Sequence, residues 1–407
     1  MKVVQKYGGT SVANIDRIRH VASLIAAEKA RGNHVVAVVS AMAGHTNTLQ
    51  GWISELVDPV SENPDIDPVL SSGEQVTSGL MALALQEKGL KAQSLQGWQL
   101  PLFTNKRFGT AQIQEIETAI VDNMLGNDII PVIAGFQGIT ADRRITTLGR
   151  GGSDTSAVAL AIALGADQCD IYTDVEGIYT ADPRICPRAR LLKRISFEEM
   201  LELSARGAKV LHPRAVELAR RYQMRLSVRS SFLNQPGTLI VQRKELPDME
   251  SQIITGLSVS TDEAKVTINN MKDTPGTAAR VFGALSEAEI NVDMIVQNIP
   301  QSADQASLTF TLPMAVADKA EQCIQALEGE LEYDDLIVAR DVAKVSAIGQ
   351  GMLTQTGVAH KMFDTLSHNE INIQAISTSE IRISVLIQEN NVDKAMKALH
   401  TAFELDK

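Results

Sequence analysis

The most specific stretch of this sequence is Thr146-Thr-Leu-Gly-Arg-Gly-Gly-Ser-Asp-Thr-Ser156, which is followed by the alanine-rich segment Ala157 to Leu164. Glycines let main-chain N–H groups approach an anion, and the guanidinium of Arg150 can hold a carboxylate or phosphate through two parallel hydrogen bonds. Ser153 and Asp154 are suited to the start of a helix. A purely structural turn seldom needs an arginine within a run of glycines, so the stretch predicts an anion-binding loop that opens a helix.

On both sides of this loop, up to about residue 240, short runs rich in Val and Ile alternate with segments of helical period. This alternation predicts βα units on a mostly parallel sheet. The expected strands are Val3-Val4, His34 to Ser40, Ile129 to Ala134 and Asp170 to Thr173, and the expected helices are Asn14 to Arg31, Gly73 to Lys88 and Ser153 to Leu164. Ligands of open α/β sheets sit beyond the carboxyl ends of the strands, so we expect the chemistry in the loops that follow them.

Two of these loops are suited to a nucleotide. Lys6-Tyr-Gly-Gly-Thr-Ser11 follows the first expected strand, and its paired glycines and lysine have the features of a phosphate cradle. Tyr172-Thr-Asp-Val-Glu-Gly-Ile-Tyr-Thr-Ala-Asp-Pro-Arg184 follows a later strand and offers groups for ribose hydroxyls, a magnesium-bound phosphate and an adenine ring. Asp-Pro is also an ordinary turn former, so a structural role for part of this second loop stays open.

Two other loops carry small polar groups with equally plain structural explanations. Ser40-Ala-Met-Ala-Gly-His-Thr-Asn47 ends an apolar run, but Thr46 and Asn47 are also suited to a simple helix cap. In Ser71-Ser-Gly-Glu-Gln75 we expect Glu74 in the first turn of a helix, where the helix dipole stabilises an acid without any ligand. Glu74 matters for function only if a cation, such as a substrate ammonium group, meets it.

The overall composition is that of a globular protein with several domains. The chain has 407 residues, which at about 150 residues per domain predicts two to three domains. Hydrophobic residues make up 44 % and charged residues 21 %, so a disordered or membrane-spanning chain is disfavoured. The balance of 38 Lys+Arg against 49 Asp+Glu gives a net charge of −11, which disfavours nucleic acid and anionic membranes as partners.

Cysteine usage and the start of the chain indicate a cytoplasmic protein. Cys169, Cys186 and Cys323 are too few and too scattered for a disulfide framework or a cysteine-rich zinc site, so we expect them to be reduced and mostly buried. The opening Met1-Lys-Val-Val-Gln-Lys6 is not a signal peptide, and no stretch offers about 20 uninterrupted apolar residues.

The last third of the chain contains an internal repeat. A shift of 81 residues from Gly276–Ile295 onto Gly357–Ile376 gives 9 identities in 20 positions. Each copy is expected to contain a strand, a glycine-opened turn, an amphipathic helix and a strand that begins with Ile-Asn. Glycine and asparagine positions that face each other at helix and strand ends favour a small-ligand site, although two purely structural copies are the alternative.

Motifs of several common enzyme classes are absent. The sequence has no G-x-x-x-x-G-K-[ST], no G-x-G-x-x-G opening a helix, and neither H-R-D nor D-F-G. These absences argue against a P-loop protein, a Rossmann enzyme and a protein kinase.

Four motifs in this order, followed by a twofold repeat, resemble the aspartate kinase (aspartokinase) family over nearly the whole chain. They are Lys6-Tyr-Gly-Gly-Thr-Ser, Ser40-Ala-Met, Thr147-Leu-Gly-Arg-Gly-Gly-Ser-Asp154 and Thr173-Asp-Val with Tyr179-Thr-Ala-Asp-Pro-Arg184. The resemblance implies an α/β protein with the amino acid kinase fold, a mostly parallel sheet sandwiched by helices, and two βαββαβ ferredoxin-like ACT domains. It also implies a phosphotransferase that converts ATP, used with Mg²⁺ held mainly by its phosphates, and L-aspartate to 4-phospho-L-aspartate, the first step towards lysine, threonine and methionine.

The resemblance assigns roles to individual residues of the catalytic half and no protein metal ligand. The catalytic residues are Lys6, Glu74, Arg150 and Asp154. Aspartate is bound by Ser40, Thr46, Glu74, Arg150, Gly151, Gly152 and Ser153, with Glu74 on its ammonium group and Arg150 on its α-carboxylate. ATP is bound by Lys6, Tyr7, Gly8, Gly9, Thr173, Asp174, Tyr179, Asp182, Arg184, Lys209 and Val210.

For the repeats, the resemblance implies amino-acid effector sites between paired ACT domains of two chains, with lysine and/or threonine as effectors and a homo-oligomer. The matching positions are Asp273, Thr274, Pro275, Gly276, Thr277, Ala278, Asn291, Val292, Asp293, Gln297, Val358, Asn372, Ile373, Ser379 and Glu380. The expected domains are 1–245 (catalytic), 246–262 (linker and a strand that joins the second ACT domain), 263–340 (first ACT domain) and 341–407 (second ACT domain).

Three features qualify the resemblance. His45 stands where many members have an acidic residue, and Gln112 stands where arginine is frequent, which leaves the fine geometry of the substrate pocket open. Met249-Glu250 resembles the internal start from which some members make a regulatory subunit, although a plain linker methionine is the alternative.

Two other functions share parts of this pattern. The first is another amino acid kinase, acting on glutamate, acetylglutamate or UMP. The second is a non-catalytic amino-acid sensor with a degenerate kinase half. The joint presence of Lys6, Glu74, Arg150, Asp154 and Asp174 argues against the sensor.

Overall fold

A computed structural model describes residues 1–58, 63–205, 210–246, 253–298, 305–353 and 355–407. The chain divides into two compact units. The first comprises residues 1–178, 191–205 and 209–248, and the second comprises residues 179–190, 206–208 and 249–407.

The first unit alternates strands and helices as the apolar runs predict. Its elements are β1 (Lys2–Tyr7), α1 (Ile15–Ala30), β2 (His34–Val39), α2 (His45–Ser54), α3 (Ile66–Glu87), β3 (Ala92–Leu95), β4 (Leu102–Thr104), β5 (Ile113–Ile116), α4 (Ala119–Gly126), β6 (Ile130–Ala134), β7 (Gln137–Ile139), β8 (Ile145–Thr147), α5 (Gly152–Ala163), β9 (Gln168–Thr173), β10 (Arg194–Ser196), α6 (Phe197–Ala205), α7 (Pro213–Tyr222), β11 (Leu226–Ser230) and β12 (Thr238–Val241).

An eight-stranded sheet with the order β10-β12-β11-β9-β1-β2-β6-β3 forms the centre of this unit. All its neighbouring strands are parallel except β11 and β12, which confirms the predicted mostly parallel sheet. A smaller sheet has the order β5-β4-β7-β8. The loops after β1, β2, β6 and β9 therefore meet at the carboxyl edge of the large sheet, where a ligand is expected.

Every strand and helix that the apolar pattern predicts in this half is present, with one large change of boundary. The helix expected to start at Gly73 begins at Ile66 instead. Leu70, Gly73, Met81 and Leu85 on α3 are buried, so the helical period continues about two turns upstream of Gly73. The serines and the proline of that upstream segment are poor helix formers, which is why the sequence pattern does not predict it as helix.

The second unit contains the two copies of the repeat. Its elements are β13 (Gly256–Lys272), α8 (Thr277–Glu287), β14 (Asp293–Asn298), β15 (Gln305–Pro313), α9 (Ala317–Gln325), α10 (Glu328–Leu331), β16 (Asp335–Ile348), α11 (Val358–His368), β17 (Ala375–Ser379), β18 (Arg382–Gln388) and α12 (Val392–Ala402). The strands expected to begin at Ile290 and Ile371 start later, because those isoleucines are buried at the ends of turns that close α8 and α11.

Two long strands run through both copies. The sheet order is β14-β15-β13-β16-β18-β17. The first part of β13, Gly256 to Ser260, pairs with Ile348 to Lys344 of β16. The part from Glu263 onward pairs with β15 on one side and with the earlier part of β16 on the other. The segment before the first copy thus contributes a strand beside the second copy, as the resemblance implies. The domain boundaries at residues 245, 262 and 340 stay predictions.

Aliphatic side chains fill the cores. In the first unit, Val35, Ala37 and Val39 of β2 pack with Ile18 and Val21 of α1, all at most 1 % exposed. Each copy of the repeat has its own cluster, around Phe310 in the first and Met362 in the second. Within the described ranges, no helix combines the length and apolarity needed to cross a membrane. The three cysteines are free, and Cys169 and Cys186 are buried.

Candidate active site

Lys6 and Asp154 form the centre of the candidate site. Lys6 lies near the end of β1, Asp154 lies in the first turn of α5, and Lys6 Nζ is 2.6 Å from Asp154 Oδ1. Each side chain is only 11 % exposed, so the ion pair is shielded from water and its attraction is stronger than on an open surface. A side-chain carbon at Gly8 would lie 3.5 Å from Lys6 Nζ, so the glycine keeps an approach to the ammonium group open.

Glu74 is buried beside the loop that follows β2. Its Oε1 accepts a hydrogen bond of 3.0 Å from Ala41 N, whereas Oε2 has no hydrogen-bond partner within the described residues. Burial raises the pKa of Glu74 to about 7, although the bond from Ala41 and the charge of Lys6 act in the opposite direction. A buried carboxylate oxygen that receives no donor is suited to a cationic ligand group.

The helix-dipole explanation for Glu74 is wrong. Because α3 begins at Ile66, Glu74 lies in its third turn, where the positive end of the helix dipole no longer acts. A cation-binding role is therefore the better account of this buried acid.

The loops after β1 and β2 are in contact with each other and with α3. Ser40 N donates to Tyr7 O at 3.0 Å, and a Cβ at Gly9 would lie 3.0 Å from Ala41 O. Gly73, one residue before Glu74, would meet Ala41 Cβ at 2.7 Å if it carried a side chain. Thr46 lies within the first turn of α2, which begins at His45.

Packing explains two glycines of the loop before α5. Gly151 has φ of +65°, and a Cβ there would lie 2.2 Å from His212 Cβ. A Cβ at Gly152 would lie 2.6 Å from the Phe136 ring. Arg150, between Gly149 and Gly151, is exposed, and within the described part of the chain its guanidinium makes no hydrogen bond or ion pair. It is free to meet an anionic ligand.

Tyr7 does not present a surface to a nucleotide. It is fully buried, its ring stacks on Tyr172 at a centroid distance of 4.7 Å, and its hydroxyl donates to Gln5 Oε1 at 3.0 Å. Successive side chains of a strand point to opposite faces, so Lys6 and Tyr7 cannot both face the ligand. The assignment of Tyr7 to ATP is not supported as a direct side-chain contact.

The other residues assigned to ATP fall in different parts of the structure. Thr173 ends β9 and its hydroxyl donates to Asp174 at 3.0 Å, in the first unit. Tyr179, Asp182 and Arg184 belong to the second unit, where Asp182 and Arg184 form an ion pair of 2.6 Å. Val210 is half-buried before α7, and Lys209 lies outside the described residues.

The candidate effector residues of the first copy form two groups. Gly276, with φ of +100°, opens α8, whereas Asn291 follows its other end, about 16 Å away for an eleven-residue helix. The strand register agrees, because Asp293 lies opposite Thr311 near one end of β15 and Lys272 lies opposite Gln305 at the other end. The expectation that glycine and asparagine face each other is therefore wrong within one copy, because they flank opposite ends of one helix.

Two lysines join the copies crosswise. Lys344 of the second copy contacts Glu263 and lies 3.0 Å from Asp293 of the first copy. Lys265 of the first copy donates to Gln374 of the second at 2.6 Å. Asp293 and Gln374 are equivalent in the 81-residue repeat, so the two bonds are related by the same pseudo-symmetry. Of these two related bonds, the one from Lys344 to Asp293 is an ion pair, whereas the one from Lys265 ends on the neutral amide of Gln374.

Sequence reasoning missed three side chains near the glycine loop. Asp67, His212 and Arg214 all contact the main chain of this loop or of the segment beside it. The stretch His212-Pro213-Arg214 has the form of a helix start, with proline at the first helical position. This helix-start pattern is the signal in the sequence that points to His212 and Arg214.

Comparison with known proteins supports the same interpretation. The sequence profile of the amino acid kinase family matches residues 1–230, and that of the ACT domain matches residues 266–328 and 345–403. An aspartokinase of Corynebacterium efficiens is 46 % identical over 405 residues, which cover 99 % of this chain and 96 % of the relative.

Two solved structures of Escherichia coli aspartokinase III are also similar. The complex with aspartate and ADP has a TM-score of 0.80, 27 % identity and coverage of 99 % of both chains. The complex with lysine and aspartate has a TM-score of 0.75, 27 % identity and coverage of 98 % of this chain and 99 % of the other. These matches confirm the predicted fold class, the amino acid kinase fold followed by ACT domains. The profile match over more than half of the chain, together with the full-length identity, shows that the chain belongs to the aspartokinase family.

Proposed function

We propose that the site around Lys6 and Asp154 transfers the γ-phosphoryl group of ATP to the side-chain carboxylate of L-aspartate. The observation that carries this proposal is the combination of a shielded Lys6–Asp154 ion pair with two ligand-ready groups, the unpartnered oxygen of Glu74 and the exposed guanidinium of Arg150. The relative with aspartate and ADP bound has a similar fold over the whole chain, which supports both substrates.

The proposed roles follow from charge. Glu74, as the carboxylate, holds the ammonium group of aspartate, and Arg150 holds the α-carboxylate through its planar fork. Ser40, Thr46 and the main chain of Gly151 to Ser153 complete the pocket. Aspartate is thereby oriented with its side-chain carboxylate free to react.

The chemistry needs little from the protein beyond position and charge. The side-chain carboxylate of aspartate is ionised at neutral pH and is itself the nucleophile, so no general base is required. Its oxygen forms a bond to the γ-phosphorus as the bond to the β,γ-bridging oxygen breaks, and ADP leaves with the electron pair. Lys6, held by Asp154, neutralises charge on the transferred group.

We propose that ATP binds to the first unit through Lys6, Gly8, Gly9, Thr173, Asp174, Lys209 and Val210, and the roles of Tyr179, Asp182 and Arg184 stay predictions from the resemblance. Across the described residues, no group of three or more His, Cys, Asp or Glu side chains could hold a metal ion. We propose that magnesium enters with the phosphates of ATP, as part of the substrate.

We further propose that lysine and/or threonine bind to the ACT pair and reduce activity in a homo-oligomer. The relative crystallised with lysine supports lysine as an effector. Most candidate positions are exposed or partly exposed, whereas Thr277 and Val358, each the first residue of a helix, are buried. The internal start at Met249 lies outside the described residues, and a cytoplasmic location stays a prediction.

The test is an ADP-release assay on the full chain with aspartate, glutamate, acetylglutamate and UMP as acceptors. ADP release with aspartate and with none of the other three acceptors supports the proposal. Preference for another acceptor, or ADP release that does not depend on an acceptor, contradicts it. Repeating the assay with lysine, threonine and both identifies the effector. Glu74→Gln tests the ammonium contact, with the exposed Glu87→Gln at the end of the same helix as the matched control.

A further inference from the structure

The loop that carries Arg150 is held from two sides by charged side chains to which the phosphoryl-transfer scheme gives no role. Asp67, the second residue of α3, accepts hydrogen bonds from Thr147 N at 2.7 Å and Thr147 Oγ1 at 2.9 Å. Arg214, the second residue of α7, donates from Nη1 to Leu148 O at 2.8 Å. Both side chains thus contact the two residues just before the glycines, Thr147 and Leu148.

The same two side chains also hold the neighbouring segment, 109–111. Asp67 accepts a hydrogen bond from Gly109 N at 3.0 Å, and Arg214 donates from Nη2 to Ala111 O at 2.8 Å. The two segments are themselves joined, since Ala111 N donates to Thr147 O at 2.9 Å. Asp67 and Arg214 therefore bridge one pair of segments at two separate points.

Both side chains are charged groups in specific surroundings next to these two segments. Asp67 is fully buried, and burial raises its pKa although the bonds from Gly109 and Thr147 oppose that shift. Its described hydrogen bonds come from neutral donors, so its charge is stabilised by the loop that it holds. Arg214 uses its planar fork on two carbonyl oxygens, a geometry that lysine cannot reproduce.

The position of Arg150 depends on the hydrogen bonds that Asp67 and Arg214 make to these two segments. It lies two residues after Leu148, its exposed side chain makes no hydrogen bond or ion pair with the described residues, and Gly151 packs on His212. Nothing on the side chain itself fixes where the guanidinium points, so the main chain on either side must do so.

We propose that Asp67 and Arg214 are positioning residues for substrate binding, which hold the 147–151 loop so that Arg150 meets the α-carboxylate of aspartate. This inference rests on the proposed role of Arg150. A merely structural pair would lower stability and impair both substrates alike, whereas a positioning pair acts on aspartate through Arg150.

The experiment is a double-mutant cycle with Arg214→Met and Arg150→Ala, measured as kcat/KM for aspartate at saturating ATP and as KM for ATP. We expect Arg214→Met to lower kcat/KM for aspartate about tenfold and to change KM for ATP less than about twofold. In the Arg150→Ala background, Arg214→Met should cost less than about twofold, because the group that it positions is gone. Arg221→Met, on the exposed part of the same helix, serves as the matched control.

Equal costs of Arg214→Met in both backgrounds, or equal effects on aspartate and ATP, would overturn the positioning role. If Arg150→Ala alone leaves KM for aspartate unchanged, the proposed role of Arg150 fails first, and the inference fails with it. The two failures are therefore distinguishable.

A milder pair of variants keeps the test valid if Arg214→Met does not fold. Arg214→Lys and Asp67→Asn retain most of the packing, and each is compared on aspartate and on its α-amide, isoasparagine, which lacks the charge that Arg150 recognises. We expect both variants to reduce the preference for aspartate over the amide at least about threefold. An unchanged preference would contradict the proposal.

Discussion

Lys6 Nζ lies 2.6 Å from Asp154 Oδ1, and this pair joins the first strand of the catalytic half to the helix that follows its glycine-rich loop. The two residues carry opposite charges in a place with little water, so each fixes the position of the other. The anion that Lys6 is proposed to bind must therefore approach an ammonium group that already has one carboxylate partner.

Replacement of Lys6 by alanine should lower kcat far more than it raises KM for aspartate. Its charge is proposed to act on the transferred phosphoryl group, and loss of one such contact typically costs about 10²–10³-fold in kcat. Steady-state kinetics with both substrates check this. A variant that binds aspartate poorly but turns over normally would contradict the role.

Asp154→Asn should give a contrasting result in the same assay. The amide keeps the shape of the carboxylate but leaves the Lys6 charge without its partner, so the ammonium group is held less firmly. We expect a smaller loss of kcat than for Lys6→Ala. A loss as large as that of Lys6→Ala would mean that Asp154 has a role of its own in catalysis.

The protonation of Glu74 should govern the pH dependence of aspartate use. Burial raises the pKa of Glu74 from 4.5 to about 7. The ammonium group needs the ionised form, so kcat/KM for aspartate should fall about tenfold per pH unit below about pH 7 and level off above it. Glu74→Gln should have a low kcat/KM that no longer shows this titration. A wild-type profile that is flat between about pH 6 and 8 would argue against the assignment.

The same shift has a consequence for stability. The pKa of Glu74 is higher in the folded protein than in the unfolded chain, so its carboxyl group ionises less readily when the protein is folded. The contribution of Glu74 to the free energy of unfolding therefore decreases as pH rises from about 4.5 through about 7. Saturating aspartate supplies the missing cation. The rise in Tm caused by aspartate should therefore be larger at about pH 8 than at about pH 6, and Glu74→Gln should remove this difference.

Local pattern predicts the framework well and the supporting contacts poorly. The strand ends and the glycine-rich loop identify Lys6, Arg150 and Asp154, because each stands directly beside a motif. Asp67 and Arg214 each stand at the start of a helix, and local sequence does not tell which loop lies opposite that start in the fold. The misplaced start of α3 has the same origin, since Leu70 is buried by Leu49 and Ile53 of α2, a contact that only the folded chain makes.

The left-handed backbone of Gly151 predicts a graded effect of alanine. Gly151 and Gly165 both have positive φ, +65° and +57°, so alanine should cost each about 1 kcal/mol of stability from backbone strain. At Gly165 no atom lies within 4 Å of the added Cβ, whereas at Gly151 the Cβ would lie 2.2 Å from His212. Only Gly151→Ala should also raise KM for aspartate. Equal kinetics for the two variants would show that the loop tolerates the shift.

The crosswise lysines predict an asymmetry between the two copies of the repeat. Lys344 is 2 % exposed and faces two carboxylates, Glu263 and Asp293. Its replacement by methionine removes the cation beside the buried carboxylate of Glu263, and truncation of one partner of a buried ion pair costs about 3–5 kcal/mol. Lys265→Met, the matched control, removes only a hydrogen bond to the neutral Gln374 and should cost about 1–2 kcal/mol.

Urea unfolding of both variants measures this difference, and half-inhibition by lysine and threonine measures its effect on regulation. Asp293 is one of the proposed effector positions, so an effector must bind beside a carboxylate that Lys344 already holds. We expect Lys344→Met to shift half-inhibition by the active effector at least about fivefold and Lys265→Met to shift it less. Adding Glu263→Gln to Lys344→Met should recover part of the lost stability, because it removes the buried charge that Lys344 compensates. If the two lysine variants lose equal stability, the buried ion pair contributes no more than the neutral bond related to it by pseudo-symmetry.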